Sequence, residues 1–505
     1  MKKQILFIAL CVAKLACAER VVVVGDSITG LSENFSSGYA KQMRQALADV
    51  GRSNAFELVC LGGSGQTVLS WRNVVKMSTT TNLTLDVKSI FVKDELDKPA
   101  DTLIIFLGMN DALQPSISPD QKAEWLERYQ VLIDLLKNRT RVGRLLLAQP
   151  TMYTENPDTY KNGLMRTLCS WIDEVAASNK CGVIHTHEAY QRFWETGRLH
   201  NPDFRMTYDY VHPGQVGHLA IADTFLRALG ETQAADSWLA KNKKLLTDDT
   251  PGALVYIVNS GSITAKGSAT FDIQKISAQL PEGWTLQQTI RGRSFQLTFT
   301  KAQNNYAAVT EIPITFEGNA VSCARTVKIF APWLIKNGFP GQPWNEPASY
   351  DNQKNHTPID DQFAQGTVDF STWKIYIPNN DVNGGAYPGS IDFSSLENGA
   401  HFDFAYAAIN VIAPQPGTIK LITRTRVFSG TMHDTVWVNG QEVLRHVFYR
   451  NQAVPQERIV SLKAGVNTIW LKSAHQCWQW QSSIHFEDDQ LRAADLKYAL
   501  PGGQK

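Results

Sequence analysis

"VVVVGDSITG", Val21–Gly30, sets four consecutive valines directly ahead of Gly25, Asp26 and Ser27. Four β-branched residues favour an extended strand, and a strand without polar alternation is one covered on both faces, as in a parallel sheet. Gly25 then permits a tight turn. Ser27 is therefore expected just beyond the carboxyl end of a buried strand, the edge at which open α/β sheets bind ligands.

Outward from this stretch the pattern repeats. Phe56 to Cys60, Thr102 to Leu107, Arg144 to Ala148 and Gly182 to His185 are short, largely apolar or β-branched runs bounded by turn residues. Between them lie helical patterns, clearest over Asp120 to Asn138. There Trp125, Tyr129, Leu132, Ile133 and Leu136 recur with helical spacing, and Ser118, Pro119 and Gln121 read as a capping box. The alternation of strand and helix up to about Gly230 predicts a doubly wound sheet.

Past the polar, Lys-rich stretch near residues 240 to 250 the period changes to two and helical signals stop. Leu254 to Val258, Phe295 to Thr300, Ile312 to Phe316 and Ala324 to Ile329 read as strands of a small all-β module. A larger β-sandwich follows, with strands at Thr418 to Thr423, Asp434 to Val438, Glu442 to Arg445 and Thr468 to Lys472. Asn439-Gly440 is its hairpin signal, since both residues tolerate positive φ. At 505 residues the chain has room for two or three domains. The expected division is 19–247, 248–334 and 335–505.

Residues 1–18 read as a signal peptide: Lys2 and Lys3, an apolar run from Ile5 to Ala13, then Ala16-Cys17-Ala18 as a cleavage site. The mature chain is expected to begin at Glu19 and to be secreted or periplasmic. Cys17 raises a lipoprotein alternative, disfavoured by Lys14 where a lipobox resembles leucine. The apolar run is too short to span a bilayer, so no stable membrane insertion is expected. With 49 basic and 48 acidic residues, no global field attracts nucleic acid. Cys60, Cys169, Cys181, Cys323 and Cys477 remain after the signal and contain no CxxC. Buried free thiols are expected, with a Cys169–Cys181 bridge as the alternative. Two sequons, at Asn34 and Asn82, are read as chance matches.

A serine at a strand end is usually a cap or turn former; to act as a nucleophile it needs a base and an anion site. "TYDYVHPGQVGH", Thr207 to His218, offers the base. Asp209 and His212 stand three apart, so that the carboxylate can hold the imidazole tautomer while the other ring nitrogen faces the serine. The bland reading is a helix-entry loop with a solvated histidine. His218 falls in the helix body, structural or pocket-lining. "GGSGQT", Gly62 to Thr67, and "FLGMND", Phe106 to Asp111, follow two further strands. They are expected to supply oxyanion donors, the N–H of one of Gly62, Gly63 and Gly65 and the Asn110 amide, converging with the Ser27 N–H. No HExxH, Walker loop or zinc-spaced cluster accompanies them, and His185 with His187 reads as ordinary strand-end histidines. No cofactor or metal is expected.

Gly25-Asp26-Ser27, Gly65, Gly108-Met109-Asn110-Asp111 and Asp209-Tyr210-Val211-His212-Pro213 resemble, in order, the four sequence blocks of the SGNH or GDSL-type hydrolase superfamily. The resemblance covers roughly residues 20 to 230. It implies a flavodoxin-like α/β/α fold and metal-free ester hydrolysis, with Ser27 as nucleophile, Asp209 and His212 completing a triad, and Ser27, Gly65 and Asn110 as oxyanion donors. Met109 departs from the small polar residue often found in the third block, which bears on pocket polarity.

The β modules, taken as an Ig-like domain and a jelly-roll or galactose-binding-like sandwich, are similar to those appended to carbohydrate esterases. The expected substrate is an acylated, most simply O-acetylated, carbohydrate. Trp71 and Met109 are candidate substrate contacts, as are Trp478 and Trp480 in the last module. A lipid esterase or thioesterase with the same triad, and a non-catalytic glycan-binding protein, are the alternatives.

Overall fold

The computed structural model describes residues 18–113, 119–247, 250–259, 262–339, 356–378, 389–393, 404–426, 431–449, 455–475 and 481–503. The chain forms two compact units. The first comprises residues 18–153, 164–194 and 205–247; the second comprises 154–163, 195–204 and 248–503.

The first unit is built on five parallel strands: β1 (Glu19–Gly25), β2 (Phe56–Gly62), β3 (Ala100–Phe106), β4 (Val142–Ala148) and β5 (Gly182–Ile184). Their order, β2-β1-β3-β4-β5, is that of flavodoxin-like sheets. Val21 to Val24 are wholly buried, as the unbroken apolar run requires. Helices Tyr39–Asp49 and Gln215–Ala228 pack together, as do Val68–Met77 and Lys122–Arg139. Trp125, Tyr129, Leu132, Ile133 and Leu136 all face inward from the last of these. That helix starts at Lys122, after a 3-10 turn over Pro119–Gln121, and Gln121 makes no side-chain cap. Ser118, the cap of the expected capping box, lies outside the described residues.

Register places the site. Gly25 is paired with Gly62 on one side and Phe106 on the other, so β1, β2 and β3 end at one level. The chain turns in opposite directions from β1 and β3, which makes their junction the switch point of the sheet. Gly62 is required by close approach: a Cβ there would stand 2.1 Å from the Gly30 nitrogen, in the helix that follows β1.

In the second unit one core lies between two sheets, one of β6 (Ala253–Asn259), β7 (Ile263–Ala269), β10 (Ser294–Lys301) and β9 (Trp284–Arg291) in that order, the other of β12 (Val321–Phe330), β11 (Val309–Gly318) and β8 (Lys275–Ala278); Ala265, Leu297, Ile312 and Phe316 are almost wholly buried there. A larger core lies between a sheet containing, in order, β14 (Lys374–Tyr376), β13 (Trp333–Phe339), β16 (Phe404–Ala413), β21 (Gly465–His475), β18 (Thr431–Val438) and β19 (Gln441–Tyr449), and a sheet of β15 (Ile391–Asp392), β22 (Gln481–Glu487), β17 (Gly417–Arg426) and β20 (Gln456–Leu462). A last strand, β23 (Lys497–Ala499), pairs with β16. The Asn439-Gly440 turn joins β18 to β19 with both residues at positive φ, 51° and 81°. Helix is not absent: Pro358–Gln365 is capped by Thr357 and Asp360 and closed by Gly366 in the left-handed region. Asn156 Nδ2 donates to Ile257 O, and Arg325 Nη2 donates to Leu199 O. Two short segments of the range read as one catalytic domain thus belong with the β unit. Trp478, Trp480 and Cys477 lie outside the described residues. Cys60, Cys169, Cys181 and Cys323 are free thiols, so Cys169 and Cys181 do not bridge.

Candidate active site

Ser27 is the first residue of the helix Ser27–Asn34, entered directly from β1. Asp26 caps that helix, its Oδ1 accepting the Ile28 N–H at 2.9 Å. Below the turn, the Trp71 indole N–H donates to the Gly25 carbonyl at 2.7 Å. Trp71 has no exposed surface and Met109 is 1% exposed. Trp71 pins the turn from inside, and Met109 packs in the core, so neither presents surface to solvent in this conformation.

Asp209 and His212 occupy a loop closed on itself. Thr207 pairs with Pro213, Tyr208 N–H donates to His212 O, and Gly214 N–H donates to Met206 O at 2.7 Å. Inside the loop Tyr210 adopts φ +82°, a left-handed conformation unfavourable for a residue with a Cβ. Asp209 Oδ1 accepts the backbone N–H groups of Val211 at 3.1 Å and His212 at 2.8 Å, the local pattern of an Asx turn. Its Oδ2 meets His212 Nδ1 at 2.6 Å, and His212 Nε2 lies 2.9 Å from Ser27 Oγ. The carboxylate is 1% exposed and the imidazole 15%. A hydroxyl, an imidazole and a buried carboxylate are thus joined in one hydrogen-bonded line, the geometry general-base activation of a serine demands.

The other two loops end at the same edge. Gly65 has φ +72° and open space where a Cβ would be, so its backbone conformation, not crowding, calls for glycine. Asn110, 2% exposed in the short helix Met109–Leu113, donates its amide to Gln66 O at 2.8 Å. This ties the third loop to the second and fixes the side chain. Asp111 continues the tie: it accepts the Val68 N–H and, at 3.0 Å, the Trp125 indole N–H.

Burial pushes Asp26 up to about 7 and Asp111 up to about 6, against the N–H donors that favour their charged forms. Burial lowers His218 to about 4, helped by the neighbouring His212 charge. Its ring sits against Phe35 and Tyr39, a structural position on the inner face of its helix. His187 Nδ1 meets Pro150 O at 3.2 Å. Among the described residues no cluster of His, Cys, Asp or Glu could hold a metal ion.

Two features of the site lie beyond the sequence expectations. Asp26 acts as an N-cap, for which an Asp directly before a helix-initiating serine is the signal. Tyr208 stacks on His212 and Phe35 meets Tyr208, both exposed aromatics, and no spacing rule brings residue 35 to residue 208.

Residues 23–220 match the model of the GDSL-like Lipase/Acylhydrolase family. An acetylxylan esterase of Geobacillus stearothermophilus is 23% identical over 224 residues, covering 43% of this chain and 96% of that protein. The crystal structure of an acetyl xylan esterase, AlAXEase, is 22% identical and has a TM-score of 0.34, covering 42% of this chain and 99% of its own. LAE5, an alpha/beta hydrolase enzyme from the metagenome of Lake Arreo, Spain, is 22% identical with a TM-score of 0.33, covering 43% of this chain and 97% of its own. In the described residues no helix is long and apolar enough to cross a membrane. This chain thus carries, at residues 23–220, a GDSL-like acylhydrolase domain of the SGNH hydrolase superfamily, and it is a carboxylic ester hydrolase.

Proposed function

We propose that this chain removes O-acetyl groups from a carbohydrate through an acyl-enzyme on Ser27. The observation that carries the reading is the unbroken line Ser27 Oγ, His212 Nε2, His212 Nδ1, Asp209 Oδ2 at an edge shared with Gly65 and Asn110. Ser27 attacks the ester carbonyl while His212 takes its proton. The oxyanion is held by the N–H groups of Ser27 and Gly65 and by the Asn110 amide hydrogen not bonded to Gln66. His212 returns the proton to the departing alcohol. Water then attacks the acyl-enzyme, again with His212 as base, and acetate leaves.

Asp209 orients the ring and stabilises the imidazolium. The acetyl and carbohydrate choices draw on the acetylxylan esterase relative. Secretion, with residues 1–18 as its signal, the division at 247/248 and 334/335, and the Ig-like and galactose-binding-like assignment of the β modules belong to the same proposal. The paired sheets of the second unit support the last of these.

The test is release of acetate from acetylated xylo-oligosaccharides, alongside nitrophenyl esters of short and long acyl chains, with Ser27→Ala as control. Acetyl preference lost in the variant supports the proposal. Preference for long chains indicates a lipid esterase or thioesterase, and no turnover by folded protein indicates a glycan-binding role.

A further inference from the structure

Most large aromatics of the first unit are buried; Tyr39, Trp71, Tyr129, Tyr190 and Phe225 have no exposed surface. Tyr208 and Phe35 are different, 40% and 38% exposed. They are also joined to the site. The Tyr208 ring lies nearly parallel to the His212 imidazole, 17° between planes and 5.7 Å between centroids. Phe35 meets Tyr208 edge-on, at 84° and 6.0 Å. Ser27, His212, Tyr208 and Phe35 therefore form one continuous row, of which the outer two members present apolar rings to solvent.

The chemistry of the reaction assigns a direction to that row. The acyl carbonyl of a bound ester lies against the oxyanion donors, here on the loops of Gly65 and Asn110. The departing oxygen lies against the base, because the base must protonate it. Surface that continues outward from the imidazole is consequently surface for the alcohol. Phe35 follows an eight-residue helix that begins at Ser27, so the row reaches about 12 Å from the nucleophile. That is longer than one sugar ring.

We propose that Tyr208 and Phe35 are specificity-determining residues that bind the alcohol side of the ester. The C–H face of the acetylated sugar lies on Tyr208 and the adjoining sugar on Phe35. An aromatic face is negative and attracts the weakly positive C–H groups of a sugar face. The substrate is then an ester on an oligosaccharide or polysaccharide, not on an isolated sugar. The inference rests on the esterase reading above.

The experiment compares kcat/KM for methyl acetate, an acetylated xylose and an acetylated xylotriose in wild type, Tyr208→Leu and Phe35→Leu. Tyr208→Leu is expected to lower the ratio of acetylxylose to methyl acetate about tenfold, mainly through KM. Phe35→Leu is expected to lower the ratio of xylotriose ester to xylose ester by a similar factor. Ratios that stay constant while all rates fall together would make Tyr208 a mere support for His212 and overturn the proposal. So would a changed acyl-length preference, which would place the rings on the acyl side. Wild type inactive on all three esters overturns the esterase reading itself.

Discussion

Asp209 meets His212 twice: Oδ2 lies 2.6 Å from the imidazole Nδ1, while Oδ1 accepts the backbone N–H of the same histidine at 2.8 Å. One carboxylate thus sets both the ring and the main chain that carries it. Asp209→Asn preserves the backbone acceptor and presents an N–H to Nδ1, which selects the wrong tautomer. The expected result is a loss in kcat of roughly 10⁴ with far-UV and near-UV circular dichroism unchanged.

Asn110 is fixed by Gln66 O before any substrate arrives, so its second amide hydrogen is preorganised. Asn110→Ala should lower kcat by about 10² to 10³ while leaving KM nearly where it was. Steady-state kinetics on one ester are sufficient to see it.

Asp26 titrates at about 7 in the folded chain against 3.8 in the reference state. Its value is raised, so its contribution to stability is present below pH 3.8 and lost as pH rises toward 7. Asn retains the cap on Ile28 and carries no charge. Asp26→Asn should therefore gain on wild type progressively across that window and hold a constant lead above it. Urea midpoints on either side of the window provide the measurement, and a pH-independent difference would count against a neutral buried carboxyl.

His218 shows the opposite sign. Its value falls from 6.5 to about 4, so its contribution is present above pH 6.5 and lost as pH falls through about 4. His218→Leu removes the proton-binding group from an apolar niche beside Phe35 and Tyr39. Thermal unfolding should show wild type weakening relative to the variant over that acid range, with the two curves parallel at neutral pH.

Trp71→Phe deletes the indole N–H that reaches the Gly25 carbonyl in a fully buried place. A cost of about 1 to 3 kcal/mol in unfolding free energy is expected, with KM unmoved. A raised KM without lost stability would return Trp71 to the substrate surface.

The five parallel strands were legible because each is a short apolar run closed by glycine or a polar turn, and both faces of the sheet demand that composition. Asp209 and His212 were legible because their pairing is local. Burial depth was not: Trp71 and Met109 sit beside the site in sequence, yet close packing against Gly25 and the core turns them inward. The helix Pro358–Gln365 announced itself through Thr357-Pro358 and Asp360, a capping signal overshadowed by the surrounding period-two pattern. The Tyr208 and Phe35 contact joins the end of the helix Ser27–Asn34 to the loop ahead of Gln215–Ala228, which no local pattern records.

Asp209 and His212 are three residues apart, but His212 and Ser27 are separated by 185. The short pairing can form as soon as its loop closes, whereas the long one waits for the first strand and the region around residue 212 to meet through the sheet between them. During refolding, then, recovery of ester cleavage should trail the return of helix and sheet signals, making catalysis a clock for the final docking step.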